Sequence, residues 1–268
     1  MKKIHFDSID STNTYLKNNY QNLENFTFVS ASNQSQGRGR NNRKWESNNN
    51  NLLFSLLIKD SKYFELTNSI SIVSAYSILQ SLNKYGINDL SIKWPNDIYC
   101  NGKKICGILL EAISTNTINC LIIGVGINVN QKEFDGDYIA DPTSMINVLN
   151  SEIDIDELKN EVYERLIDNL NKLVDGYNYF DEIEKYDYLK NKEAYALINN
   201  QTKLVKIKGI NENYTLCVMT DNKEVNLTSG EISFHINKEV IWVSYTRIYL
   251  LSHGNKLQCG QSEVFLSI

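Results

Sequence analysis

Proline is almost missing from this 268-residue chain: there are two, one of them in KWPND at residues 93–97. Where so scarce a residue does occur, the backbone is being held. The five cysteines (Cys100, Cys106, Cys120, Cys217 and Cys259) contain no C-x-x-C pair, which argues against a zinc site or a disulfide framework. Free, mostly buried thiols in a reducing compartment are expected instead. No stretch approaches the roughly 18 apolar residues of a membrane helix, and MKKIHFDSIDSTN turns polar too early for a signal peptide. The chain therefore reads as cytoplasmic. Positive charge is in deficit, 27 Lys and Arg against 32 Asp and Glu, which argues against general nucleic-acid affinity. With 42% hydrophobic residues, the length suffices for one large unit and a small one.

Against this acidic background, QGRGRNNRKW at residues 36–45 stands out. Arg38, Arg40, Arg43 and Lys44 crowd a loop in which Gly37 and Gly39 permit turns that other residues resist. Guanidinium groups this close can fork onto phosphate or carboxylate oxygens, and such a loop is expected to order when an anion arrives. By itself the loop reads equally as a solvated basic surface or an Arg-Gly nucleic-acid contact. It matches neither GxxxxGK[ST] nor GxGxxG.

KWPND carries the second signal. Pro95 should hold the backbone extended and bias Trp94 toward β geometry, setting where Lys93, Asn96 and Asp97 point. Asn101-Gly102 lies between two apolar segments and tolerates positive φ, which predicts a hairpin returning Lys104 and Gly107 alongside. Lysine beside Asp and Asn, facing an arginine loop, suits a triphosphate and its magnesium. The bland alternative is a surface Asn-Asp turn.

Around these motifs the elements are mixed. A short strand, then Ser11 or Thr12 as N-cap, starts a helix. Ile70, Val73, Ile78, Leu79 and Leu82 predict an amphipathic helix ending near Gly86, and Leu158, Val162, Leu166, Leu170 and Leu173 another within 152–190. From Gln201 short strands and turns take over, predicting a small β-barrel-like domain. Two or three strands, with turns at His253-Gly254 and Cys259-Gly260, should finish the chain. Hairpins without strict βαβ alternation imply an α+β fold: a mixed sheet with helices on one side, then the small barrel. The expected boundaries are 1–190, 191–236, and a tail over 237–268.

The stretches SIDSTN, QSQGRGRNNRKW, KWPND, NGKKICGILLE and IGVGINVN, in this order, resemble the catalytic domain of the biotin protein ligases. GEIS at 230–233 is similar to a segment of that family's small SH3-like domain. The resemblance implies a two-step reaction. Biotin's carboxylate attacks the α-phosphorus of ATP, with Mg2+, and a lysine of a biotin carboxyl carrier domain then takes the biotinyl group. It also implies roles. Ser11, Thr12, Gln34, Gly37, Arg38 and Gly39 would surround biotin, Trp45 would be a platform for its tail or for the adenine, and Gly107 and Gly124 would let backbone approach its bicyclic ring. Arg40, Arg43 and Lys104 would meet carboxyl and phosphate groups. Lys93 and Asn96 would face the triphosphate, Asp97 the magnesium or the acceptor lysine, and Asn128 the adenine.

Three departures from the family pattern stand out. Asn42 occupies a place where the family commonly has glycine, no helix-turn-helix region precedes FDSIDSTN, and residues 237–268 extend past the usual end. Neither terminus supplies a basic recognition helix, so no DNA partner is expected; a monomer or homodimer is. The RR-x-x-GG-A-x-x-H pattern expected of a lipoate or octanoate ligase, the nearest alternative, is missing.

Overall fold

Every residue of the strand Asn51–Ile58 (β3) is buried, so this strand must be covered on both faces. The computed structural model of the chain describes residues 2–228 except 41, 42, 47, 116, 137, 139, 199 and 200, together with 240–242 and 248–250. β3 lies within a seven-stranded mixed sheet with Lys3–Ile9 (β1), Phe28–Gln34 (β2), Leu90–Lys93 (β4), Asp97–Cys100 (β5), Lys103–Ser114 (β6) and Ile118–Asn128 (β7). The spatial order is β1-β2-β3-β7-β6-β5-β4. Only the β1–β2 pair is parallel.

Successive strand side chains point to opposite faces, and here the two faces carry separate apolar clusters. Phe28, Leu56, Ile58, Leu121 and Ile123 join residues of Thr67–Lys84 (α2), the short helix Met145–Leu149 (α3) and Ile155–Val174 (α4). Val29, Leu57, Cys120 and Ile122 join Leu16 of Thr12–Asn19 (α1). Helices therefore cover both faces, which corrects the expectation of helices on one side. Sequence periodicity assigns each helix an apolar stripe but not a side of the sheet.

α4 follows its predicted stripe, with Leu158, Val162, Leu166, Leu170 and Leu173 buried and Asp154 capping its start through Asp156 N and Glu157 N. α2 departs from the amphipathic expectation. It is wedged between sheet and α4, and nearly all of 70–82 is buried. Its serines survive burial because Ser74, Ser77 and Ser81 donate to carbonyls four residues back.

A second sheet, four-stranded and antiparallel, contains Glu193–Ile198 (β8), Gln201–Ile210 (β9), Leu216–Thr220 (β10) and Lys223–Leu227 (β11), in the order β11-β10-β9-β8. Its Val205, Ile207, Leu216 and Val218 are continuous with the main apolar cluster, and Trp94 Nε1 donates to Tyr214 O at 2.9 Å. In the tail, Val240–Trp242 (β12) pairs antiparallel with Ile248–Leu250 (β13); GEIS and the turns expected at 253–254 and 259–260 lie outside the described residues. Cys100, Cys106, Cys120 and Cys217 are buried and free, and Cys259 lies outside the described residues. No helix among the described residues is long and apolar enough to cross a membrane.

Candidate active site

Where β3, β6 and β7 run side by side, three glycines fall close together across the ladder. Gly107 pairs with Gly126, Gly126 with Leu53, and Gly124 with Ser55. At the three glycines the strip lacks side-chain bulk, and a cavity of about 460 Å3 opens over it. A Cβ on Gly126 would collide with the Trp45 indole, and one on Gly107 would come within 2.8 Å of it. A Cβ on Gly124 would collide with Asn13. In this structure the glycines thus admit Trp45 and Asn13, two of the chain's own side chains. Trp45 Nε1 is buried with no hydrogen-bond partner among the described residues.

One end of the cavity is walled by hydroxyls and amides, with Glu111 behind them. Ser11 caps α1 by accepting from Thr14 N. Thr12 donates from N to Gln34 Oε1 at 2.7 Å, and its hydroxyl lies 2.6 Å from Ser55 Oγ. Ser55 in turn donates to Asn13 Oδ1, while Asn13 Nδ2 donates to Glu111 Oε2 at 2.6 Å. The predicted helix cap is thus also a rigid polar wall.

The other end is cationic. The arginine loop folds back on itself through an Arg38–Lys44 bridge, with Gly39 N donating to Arg43 O and Trp45 N to Gly37 O. That turn aims Arg40 at the KWPND motif, where its Nη1 donates to Asn96 Oδ1 at 3.0 Å. Burial pulls the guanidinium pKa values of Arg40 and Arg43 below the ordinary arginine value, and Asp97 offsets part of that. Both stay cationic. Burial likewise lowers the Lys93 pKa.

Trp94, Pro95 and Asn96 form a tight turn between β4 and β5, with a cis Trp94–Pro95 peptide, rather than the extended segment expected around Pro95. Asn101 (φ 50) and Gly102 (φ 76) make the predicted hairpin between β5 and β6. A register shift at Ile98/Tyr99 leaves Tyr99 paired with Lys104 and Ile98 with Cys106, so Ile105 is the extra residue. The bulge matters, because a regular strand would put Lys104 and Gly107, three apart, on opposite faces. Instead Lys104 Nζ reaches Asp97 Oδ1 at 2.8 Å and stands 5.5 Å from the Trp45 ring centre.

Of the residues predicted from sequence, the cavity brings together Ser11, Thr12, Gln34, Arg38, Gly39, Arg40, Arg43, Trp45, Lys93, Asn96, Asp97, Lys104, Gly107, Gly124 and Asn128. Gly37 sits behind the wall, where a Cβ would lie 2.8 Å from Trp45 O. Asn128 commits its Nδ2 to Thr143 O at 2.9 Å. Sequence reasoning missed Tyr99 and the segment 131–142, which contributes Gln131, Phe134, Tyr138, Ala140 and Pro142. This segment is pinned by Lys104 N to Asp141 O and Thr143 N to Lys104 O, and Tyr138 donates to Glu46 of the arginine loop. No periodicity or motif marks it. Gly126 could have been found, since it follows Gly124 by two on the same face.

Six cations line the cavity (Arg38, Arg40, Arg43, Lys44, Lys93 and Lys104) against two carboxylates, Glu46 and Asp97. Among the described residues no group of three or more His, Cys, Asp or Glu could hold a metal ion. A lone carboxylate already paired with Lys104 fits a magnesium ion carried mainly by phosphate oxygens, not a protein-built cage.

Residues 5–128 match the biotin/lipoate A/B protein ligase family. The bifunctional ligase/repressor BirA of Bacillus spizizenii is 37% identical over 137 residues, 49% of this chain and 42% of its own length. BirA of Escherichia coli K12 is 28% identical over 233 residues, 84% of this chain and 71% of its own. The chain thus spans less than half of the first relative's length. Among solved structures, the biotin protein ligase from Aquifex aeolicus in complex with biotin and ATP superimposes with a TM-score of 0.79 at 30% identity, covering 88% of this chain and 99% of that one. Structural correspondence over 88% of this chain and 99% of that one at 30% identity, with the motifs gathered at one cavity, places the chain in the biotin protein ligase family.

Proposed function

We propose that this chain is an ATP-dependent biotin–protein ligase, forming biotinyl-5′-AMP and passing biotin to a lysine of a biotin carboxyl carrier domain. The observation that carries the reading is the cavity's division: a glycine-floored strip walled by hydroxyls and amides at one end and Arg40, Arg43, Lys93 and Lys104 around Asp97 at the other. Biotin is a flat polar ring on an apolar tail that ends in a carboxylate, and ATP brings a polyphosphate. Two unit anions about 4 Å apart repel by roughly 4 kcal/mol at an effective dielectric near 20. Cations fixed between them remove that barrier without reorganising.

On this reading Ser11, Thr12 and Gln34 meet the ureido ring, and Trp45 covers the tail. Arg38 and Gly39 line the loop side. Asn128, with its amide nitrogen engaged by Thr143 O, offers its carbonyl oxygen to the adenine amino group. Lys104, Arg40 and Arg43 hold the carboxylate against the α-phosphorus while Lys93 and Asn96 hold the β and γ phosphates. A carboxylate oxygen bonds to the α-phosphorus and the bridge to pyrophosphate breaks. The acceptor amine then bonds to the anhydride carbonyl carbon, loses a proton, and AMP leaves. Bound Mg2+ would screen phosphate charge, with Asp97 the residue placed to face it. Trp45 and Glu46 of the arginine loop, with Tyr138 donating to Glu46, shelter the anhydride from water.

The catalytic unit is assigned to residues 1–190, an SH3-like unit to 191–236 and a tail to 237–268. The change of sheet at Glu193 supports the first boundary. Incubation with ATP, Mg2+ and biotin should give biotin-dependent exchange of labelled pyrophosphate into ATP, and adding a carrier domain should give a streptavidin-reactive product. Exchange that needs lipoate, or none with either acid, would overturn the proposal.

A further inference from the structure

Lys93 is held by an aromatic hydroxyl. Its ammonium donates to the Tyr99 hydroxyl at 3.2 Å and stands 5.2 Å from that ring's centre. Tyr99 stacks on Tyr188, with centroids 4.8 Å apart and planes at 24°, and Lys192 Nζ lies 3.3 Å from the Tyr188 ring centre. Tyr188 lies outside every motif and outside the cavity lining, on the segment leading into β8. Main chain fixes it: Tyr188 N donates to Ile92 O at 3.0 Å, and Asp187 bridges Ile92 while its carboxylate accepts from Leu189 N and Ile210 N. The column therefore starts on the four-stranded-sheet side and ends at a cavity ammonium.

An unheld lysine samples many rotamers, and each one that points elsewhere dilutes the population aimed at an anion. Offset-stacked rings have a preferred geometry, so one ring orients the next. We infer that Tyr188 is a positioning residue for adenylation: stacked on Tyr99, it fixes the hydroxyl that aims the Lys93 ammonium at the triphosphate. This rests on the ligase reading. Lys93 also faces Asp97, Lys104, Arg43 and Lys192, none of which orients it through a directional contact of this kind.

The test measures pyrophosphate exchange with biotin, and ATP affinity by calorimetry, on the full chain. Tyr188→Leu keeps apolar bulk but removes the ring. It should raise KM and Kd for ATP about tenfold, with kcat and the KM for biotin changed less than about twofold. Tyr188→Phe keeps the ring and should restore the wild-type values. In a Lys93→Met background, Tyr188→Leu should add nothing further, because the two act as one unit. Unmoved ATP affinity in Tyr188→Leu, loss that Phe does not rescue, or multiplicative losses in the double variant each overturn the inference. If the Leu variant folds poorly, Tyr188→Met carries the same comparison. A wild-type protein without biotin-dependent exchange overturns the ligase reading instead, and calorimetric ATP binding still decides the role of Tyr188.

Discussion

Along β7, Ile123, Val125 and Ile127 enter the apolar layer under α2 and α4. Ile122, Gly124 and Gly126 alternate onto the face that α1 covers and the cavity opens on. The same strand thus builds both the core and the site floor. On the first face each buried aliphatic side chain contributes roughly 1.5–3 kcal/mol by leaving water. On the second face that burial is given up at two glycines, whose missing side chains make room for Asn13 and Trp45. On β7, core side chains and the glycine floor alternate along one backbone.

That separation can be broken at either face. The largest effect is expected at Lys104, where Lys104→Ala should lower adenylation by about 10²–10³-fold while the thermal midpoint stays within a few degrees. Its side chain is only partly buried and has no place in the apolar clusters. Undiminished pyrophosphate exchange would remove Lys104 from the mechanism. Leu166→Ala, under the other face, should do the opposite. It should cost about 2–5 kcal/mol of unfolding free energy in urea, with KM values of the folded fraction unchanged. A shifted KM there would mean the two faces are coupled. The smallest effect sharpens the boundary: Gly126→Ala puts a methyl where Trp45 lies, so the indole must shift. The KM for biotin should rise several-fold, and stability should change by under about 1 kcal/mol because a half-buried loop residue can move. Unchanged biotin kinetics would show that Trp45 does not cover the substrate.

Much of this was legible beforehand. The α4 stripe, the Asn101-Gly102 turn and the residues of the glycine-arginine and KWPND motifs follow from local patterns that local geometry then realises. Tyr99 and segment 131–142 were not legible, since neither has a periodicity or a turn signal that separates a cavity wall from an ordinary loop. The sides of α1 and α2 were also out of reach, because an apolar stripe fits either face of a sheet.

What the amino-acid order determined by itself is which residues are chemically fit for the site: forked cations on a glycine-rich turn, a lysine and an amide beside a proline, and strand glycines that admit a neighbour. Only the tertiary structure decided that they meet. The bulge at Ile98/Tyr99 rotates Lys104 onto the face of Gly107, and the stack on Tyr188 reaches Lys93 from a segment remote in sequence. Both depend on how strands and rings from distant segments pair. Period-2 alternation along one strand carries no information about an extra residue that its partner strand will leave unpaired.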